Sequence, residues 1–97
     1  MKLMHITVHF EFSEDIEEIL NSNEIQNYVR YNMMQGQDRD GRHFGNQVFP
    51  GSITVIQAQV PENKIEPVFQ DLTNFRESKP AHQHLEALIL PVENRLA

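Results

Sequence analysis

Histidine is the residue type in this chain with the clearest capacity for chemistry, with five copies among 97 residues. Neutral imidazole is a common ligand of Zn, Cu and Ni, which makes His5, His9 and His84 candidate ligands of a divalent metal. His5 and His9 lie four residues apart in an alternating segment, roughly 13 Å at ~3.3 Å per residue, so one chain cannot place both on one ion. His82 and His84 are two residues apart on one face, roughly 6.6 Å at the same rise, and could share an ion within one chain. Alternatively, copies of His5, His9 or His84 could meet around a threefold axis. We favour the simpler interpretation, in which these side chains form hydrogen bonds with neighbouring polar groups.

Glycine marks a second candidate segment, because all four glycines fall between Gly36 and Gly51. This segment is too long for a hairpin turn, and loops beyond ~12–15 residues tend to be functional or disordered. Its two phenylalanines are either anchors packed at a subunit boundary or hot spots for a partner protein. The candidate residues for contact with an effector or partner are Arg39, Arg42, His43, Phe44, Gly45, Phe49 and Gly51.

Several classes of protein are excluded by composition. The chain has no cysteine, which removes disulfides, thiolate zinc sites and thiol nucleophiles. Its net charge of −6 argues against nucleic acid as a partner. No apolar run is long enough to span a membrane, and the start MKLMHITVHF lacks the apolar stretch of a signal peptide. No serine lies in the context of a nucleophile elbow. We therefore expect a soluble, cytoplasmic protein that is not an enzyme.

The elements that must position these residues follow from hydrophobic periodicity. Ser13 is placed to cap a short first helix, and Asn63 with Glu66 resembles a capping box at the start of a second, with Pro67 in its first turn. Four segments have the alternation or the β-branched content of strands, and they are residues 4–12, 25–34, 53–60 and 84–90.

The order strand, helix, strand, strand, helix, strand predicts an α+β ferredoxin-like βαββαβ fold over a single domain, residues 1–97. Its four-stranded antiparallel sheet would carry two helices on one face. The opposite face would stay uncovered within the chain, and contiguous apolar patches of this kind mark interfaces. We therefore expect an oligomer. The positions on the uncovered face are His5, Thr7, His9, Glu11, Ile53, Val55, Gln57, Gln59, His84, Glu86, Leu88 and Leu90.

The architecture and three short motifs resemble the PII-like superfamily, which includes the nitrogen regulatory PII proteins and the CutA-like proteins. The motifs are His43-Phe44-Gly45, Phe49-Pro50-Gly51 and Leu88-Ile89-Leu90-Pro91-Val92-Glu93. The resemblance implies a homotrimeric signal-transduction protein that acts in nitrogen regulation. It also implies a small effector at the subunit clefts and a target protein bound through the 36–51 loop.

The chain departs from nucleotide-binding PII proteins in the segment that holds phosphate. Residues 76–82 contain no glycine, so we do not expect ATP to bind in the usual manner. One alternative function is a CutA-like trimer that binds a divalent metal. Another is a small dimeric ferredoxin-like monooxygenase with a cavity between sheet and helices. The uniformly apolar helix-facing positions of the strands suit a filled core better than such a cavity.

Overall fold

A computed structural model of the chain describes residues 1–38, 41–43 and 53–97. Two short 3-10 turns cover Phe10–Phe12 and Pro80–His82. The helices are α1 (Ser13–Ser22) and α2 (Glu62–Ser78). The strands are β1 (Lys2–His9), β2 (Tyr28–Met34), β3 (Gly36–Asp38), β4 (Gly41–His43), β5 (Ile53–Val60) and β6 (Glu86–Pro91).

The four long strands form one sheet in the order β2-β5-β1-β6, and every neighbouring pair is antiparallel. In the centre of this sheet, Ile6 of β1 lies opposite Ile56 of β5 and Ala87 of β6. The order is that of a ferredoxin-like fold, which confirms the fold class predicted from the sequence. The two short strands β3 and β4 form a separate hairpin between β2 and β5.

The core lies between one face of the sheet and the two helices. Alternate residues of the central strands are fully buried because period-two side chains share a face. Each large apolar side chain that is fully buried contributes about 1.5–3 kcal/mol. The core cluster comprises Met4, Ile6, Val8, Ile16, Leu20, Ile25, Ile56, Ala58, Val60, Val68, Leu72 and Leu85.

The first strand is shorter than the predicted segment 4–12. It ends at His9, and Phe10–Phe12 form a 3-10 turn that leads directly into α1. Ser13 does not cap the helix, because its hydroxyl donates to the carbonyl of Phe10 at 2.9 Å. This bond secures the turn and directs Phe12 onto the core.

The second strand begins at Tyr28 rather than Ile25, because α1 ends in a Schellman-type turn. The N–H of Ile25 donates to the carbonyl of Leu20 at 2.9 Å, and the N–H of Glu24 to that of Asn21 at 3.0 Å. Glu24 adopts φ 63, the left-handed region that glycine normally fills after a helix. Ile25 is thereby buried at the end of α1 and does not join the sheet.

The start of the second helix also differs from the prediction. It begins at Glu62, directly after Pro61, and no side chain caps it, so the predicted capping box of Asn63 and Glu66 does not form. Pro67 is consequently the sixth residue of α2 and lies in the second turn, not the first. The extended backbone of Pro61 starts the helix two residues earlier than expected, and the N–H of Lys64 donates to the carbonyl of Pro61.

The last strand begins at Glu86, two residues later than predicted, so His84 is not part of the sheet. Residues 80–85 form successive turns. In them the N–H of Gln83 donates to the carbonyl of Pro80, and that of Leu85 to the carbonyl of His82.

The predicted loop 36–51 begins with a hairpin, β3 and β4, that leaves the main sheet at a β-bulge. Between Tyr31, opposite Val55, and Met34, opposite Ile53, β2 has two residues where β5 has one. Met33 in this bulge adopts φ 58, a conformation that bulges often assign to glycine. The bulge increases the local twist, and the hairpin continues as its own two-stranded sheet.

Replacing Glu24 with glycine should raise the free energy of unfolding by about 0.5–1 kcal/mol. The left-handed conformation costs a side-chain-bearing residue roughly 1–2 kcal/mol, partly offset by the greater freedom of glycine in the unfolded chain. The ion pair of Glu24 with Lys64 is mostly exposed and contributes little. Urea denaturation measures the change. Glu18→Gly, at an exposed position inside α1, is the matched control and should lower stability by about 1 kcal/mol. A loss of stability in both variants would contradict the left-handed conformation assigned to Glu24.

Candidate functional site

One end of the sheet brings together His9 and His84, two of the histidines that the sequence singled out. The last residue of β1, His9, lies opposite Ile53 at the start of β5, and Met34 at the end of β2 also lies opposite Ile53. Glu86 at the start of β6 lies opposite Thr7. This end, which we call the loop end, also carries the β3–β4 hairpin and the turn between α2 and β6.

Two histidines stack at the loop end. The rings of His9 and His84 lie 3.5 Å apart at an interplanar angle of 8°. The backbone N–H of His9 donates to Nε2 of His84 at 2.9 Å, and Nδ1 of His84 lies 2.9 Å from the carbonyl oxygen of Ala81. Nδ1 is therefore the protonated nitrogen of a neutral imidazole. Nε2 of His84 ties the α2–β6 turn to the end of β1, and Nδ1 holds the ring within the turn.

A third histidine is buried beneath this stack. His82 is 5% exposed and stacks on Phe75 with ring centroids 3.9 Å apart, while Phe12 meets it edge-on at 4.6 Å. Its Nδ1 lies 2.8 Å from the carbonyl oxygen of Phe75 and 3.1 Å from Oγ of Ser78. We call Phe12, Phe75, His82, His84 and His9 the aromatic cluster. The cluster packs the 3-10 turn after β1 against the turn after α2.

The aromatic cluster occupies the corner where a phosphate-binding loop would need free backbone N–H groups. The turn at this corner uses those groups internally, since the N–H of His82 donates to Lys79 and that of Gln83 donates to Pro80. Pro80 itself has no N–H. Two successive backbone N–H groups of this turn are thus engaged within it, and residues 76–82 contain no glycine.

The uncovered face of the sheet is apolar along both outer strands. Val29 and Tyr31 of β2 are 54% and 43% exposed, and Leu88 and Leu90 of β6 are 50% and 46% exposed. Between them His5 lies opposite Gln57 and Leu88, and the amide of Gln57 lies 3.3 Å from Nδ1 of His5. Polar side chains thus occupy the centre of this face and apolar ones its flanks.

An open cleft of about 330 Å³ lies between the outer side of α2 and the start of β6. Nε of Arg76 donates to the carbonyl of Leu85 at 2.9 Å and holds the guanidinium beside it. The cleft lies at the edge of the core, whereas the helix-facing side chains of the central strands are buried. Its lining includes Phe69, Leu72, Leu85, Ala87, Arg76 and Glu77.

The structure places the predicted metal ligands apart. His5 lies on the uncovered face, whereas His9 and His84 form the stack at the loop end. Among the described residues, no group of three His, Asp or Glu side chains of one chain could hold a metal ion. His84, with both ring nitrogens in contact with backbone, does not fit a ligand in this arrangement. A metal shared between subunits stays a prediction.

The predicted effector and partner residues fall mostly beyond what the structure describes. Arg42 and His43 belong to β4, of which the structure describes the backbone path. The remaining positions lie outside the described residues and stay predictions, and they are Arg39, Phe44, Gly45, Phe49 and Gly51.

The sequence does not predict the roles that Phe12, His82 and Arg76 have at the loop end. Phe12 was assigned to the first strand, although the adjacent Ser13 and acidic residues already signal a change to helix. His82 follows Pro80, and its burial depends on Phe12 and Phe75, which are distant in sequence. Arg76 lies in the last turn of α2, and its contact with Leu85 joins two segments that the sequence does not connect.

Removing the His82 ring should destabilise the protein by about 2–4 kcal/mol. His82→Ala leaves a cavity between two aromatic rings and deprives the Phe75 carbonyl of its partner. The midpoint of urea denaturation measures the loss. The matched control is His5→Ala on the uncovered face, which should change the stability of one chain by under about 1 kcal/mol because its ring is only partly buried and water can fill the space it leaves. Equal effects of the two variants would refute the structural role of the cluster.

No helix in the described part of the chain is both long enough and apolar enough to cross a membrane. The sequence matches no protein-family model and no curated protein.

Solved structures, in contrast, match the fold over nearly the whole chain. CPII of Thiomonas intermedia K12, a nitrogen regulatory PII-like protein solved with ADP, AMP and bicarbonate, superposes with a TM-score of 0.76 at 18% identity, over 91% of this chain and 81% of its own. A DUF3240 family protein of Shewanella baltica gives a TM-score of 0.75 at 14% identity, over 99% and 93%. A protein of Thermus thermophilus described as PII-like gives 0.62 at 14% identity, over 91% and 82%. At these identities the similarity is one of fold, and the chain has the ferredoxin-like fold of the PII-like proteins.

Proposed function

We propose that this chain is the subunit of a trimeric, non-enzymatic regulatory protein of the PII-like type that acts in the cytoplasm. It binds a small effector at clefts between subunits near the loop end and presents the 36–51 loop to a target protein. The single observation that carries this proposal is the uncovered sheet face in a chain with the fold of PII-like proteins.

The uncovered face favours assembly because several large apolar side chains are exposed to water together on it. Four large apolar residues on this face are each more than 40% exposed, and they lie on both sides of the central polar row. A contiguous apolar surface rimmed by polar groups marks an interaction site. Three copies packed around an axis would bury these flanks and enclose the polar row, which includes His5 and Gln57.

The β6 edge of the sheet supports the same assembly. The run Ala87 to Leu90 in β6 is the longest apolar run in the sequence, and it lies in an edge strand. Edge strands present unpaired backbone groups, and natural proteins protect them with charges, prolines or cover. Here Ile89 is also 37% exposed on the other face of the strand. A neighbouring subunit would provide the cover that the chain itself does not.

The loop is proposed as the contact with a target protein because of its position and its composition. The bulge at Met33 turns the β3–β4 hairpin away from the main sheet. Charged and aromatic residues of the loop would supply ion pairs and hot-spot contacts, and Gly45 and Gly51 would give the backbone the freedom to adapt to the partner. The charged and aromatic residues are Arg39, Arg42, His43, Phe44 and Phe49.

The effector is proposed to differ from the adenine nucleotides of CPII in its manner of binding. CPII was solved with ADP, AMP and bicarbonate, and it is described as a nitrogen regulatory protein. A role in nitrogen regulation is the corresponding proposal for this chain. The α2–β6 turn here uses its N–H groups within itself and is filled by the aromatic cluster. A nucleotide phosphate would have to be held by other residues.

Light scattering after size exclusion should give a mass of about 34 kDa, three times the 11.3 kDa of the chain. Leu88→Asp should convert the trimer to a monomer, because three like charges would meet in the packed faces at a cost of several kcal/mol. Leu96→Asp is the matched control, since Leu96 is fully exposed beyond β6 and should leave the trimer intact. Circular dichroism checks that both variants fold. A wild-type monomer or dimer would refute the proposal.

Calorimetric titrations separate the regulator from the metal-binding alternative. With Zn²⁺ the regulator should show no saturable binding at micromolar concentration. A CutA-like metal trimer would instead bind about one ion per three chains, and His5→Ala would abolish that binding if a symmetric site lies on the uncovered face.

ADP titrated in the same buffer should not saturate at micromolar concentration, because the α2–β6 turn offers no set of free N–H groups. Tight binding of ADP would refute this interpretation of the turn.

A further inference from the structure

We infer that the cleft between α2 and β6 binds a free α-amino acid with an apolar side chain. Arg76 would hold the carboxylate, Glu77 the ammonium group, and the floor of the cleft the side chain. The inference adds a second ligand site, distinct from the subunit clefts of the proposed function, and rests on that function only for its regulatory purpose. The cleft itself is complete within one chain.

The anion-binding group of the cleft is already oriented. Nε of Arg76 donates to the carbonyl of Leu85 at 2.9 Å, and this bond is partly buried. The bond fixes the plane of the guanidinium at the rim of the cleft. The N–H groups of the two terminal guanidinium nitrogens can then donate to a ligand. A fixed planar fork matches the two oxygens of a carboxylate and loses little entropy on binding. Within the described part of the chain, no carboxylate forms an ion pair with Arg76.

The cation-binding side of the cleft combines a carboxylate with an open backbone edge. Glu77 follows Arg76 on α2 and lines the same cleft. Glu86 and Ala87 also line it, and they begin an edge strand whose outer side pairs with no other described strand. Since Ala87 faces the helices, the neighbouring Glu86 directs its side chain to the opposite face and offers the cleft its backbone. A ligand ammonium would therefore meet both a carboxylate and backbone carbonyl groups.

The floor of the cleft is apolar and suits a side chain of the size of leucine, methionine or phenylalanine. Phe69 is 42% exposed although it lies on the same helix as the buried Leu72, which is 3% exposed. Leu85 and Ala87 complete the floor from the strand side. A volume of about 330 Å³ is at the lower end of the range of small-molecule pockets. The combination of a fixed cation, a carboxylate and an apolar floor matches the three parts of an apolar amino acid.

The direct test is NMR titration of the labelled full-length chain with L-leucine, L-methionine and L-phenylalanine, each up to about 10 mM. At least one should bind with a Kd on the order of 0.1–1 mM, as expected for a ligand of about ten atoms. The shifted amides should centre on residues 69–77 and 85–87. Arg76→Gln should raise the Kd at least tenfold, whereas Arg95→Gln in the tail should leave it unchanged. No binding by any of the three amino acids would overturn the inference.

Two further measurements keep the test decisive. If Arg76→Gln loses its fold with the bond to Leu85, the exposed Glu77→Gln should still fold and raise the Kd at least threefold. N-acetyl-L-leucinamide, which lacks both charges, should not bind. Equal binding of this compound would mean that the cleft accepts an extended peptide, and the amino-acid site would be refuted. Light scattering on the same samples separates the two proposals, because a monomer that binds leucine refutes the trimer alone and a trimer that binds none refutes the cleft alone.

Discussion

The register of β1 against its two neighbours is the constraint on which the rest of the structure depends. With Ile6 opposite Ile56 and Ala87, every second residue of the central strands enters the core beneath the helices. The intervening residues are then assigned to the uncovered face, where His5 lies between Gln57 and Leu88. A slip of one residue would exchange the two faces. Core stability and the surface proposed for assembly are therefore fixed by the same hydrogen bonds.

The scarcity of glycine determines how the chain turns at the ends of its helices. After α1 the left-handed position is filled by Glu24, at a conformational cost that the burial of Ile25 offsets. After α2 the chain uses the 3-10 turn at Pro80–His82 and packs the buried His82 against Phe12 and Phe75. This packing secures the turn with side chains. It also uses the backbone N–H groups that a glycine-rich loop would leave free for a phosphate.

Periodicity predicted the element order, the fold and the apolar core, because burial of one sheet face imposes alternation that the sequence displays directly. Periodicity predicted the wrong strand limits where a local hydrogen bond ends or delays a strand. Ser13 binds the Phe10 carbonyl and ends β1 early, and the turns of residues 80–85 remove His84 from the sheet. The aromatic cluster and the anchored Arg76 depend on contacts between distant segments, for which one sequence carries no signal. The glycine-rich loop was recognisable by composition, but its conformation was not.

Strand β6 connects the two proposed roles of the chain. Leu88 points to the uncovered face, and its neighbour Ala87 points to the helix side, where it lines the cleft beside Arg76. A ligand in the cleft and a subunit packed on the sheet face would thus contact opposite sides of the same short backbone segment. Allosteric coupling requires an element whose position both sites influence. Strand β6 is an edge strand held by β1 on one side only, so its displacement would couple ligand binding in the cleft to assembly on the sheet face.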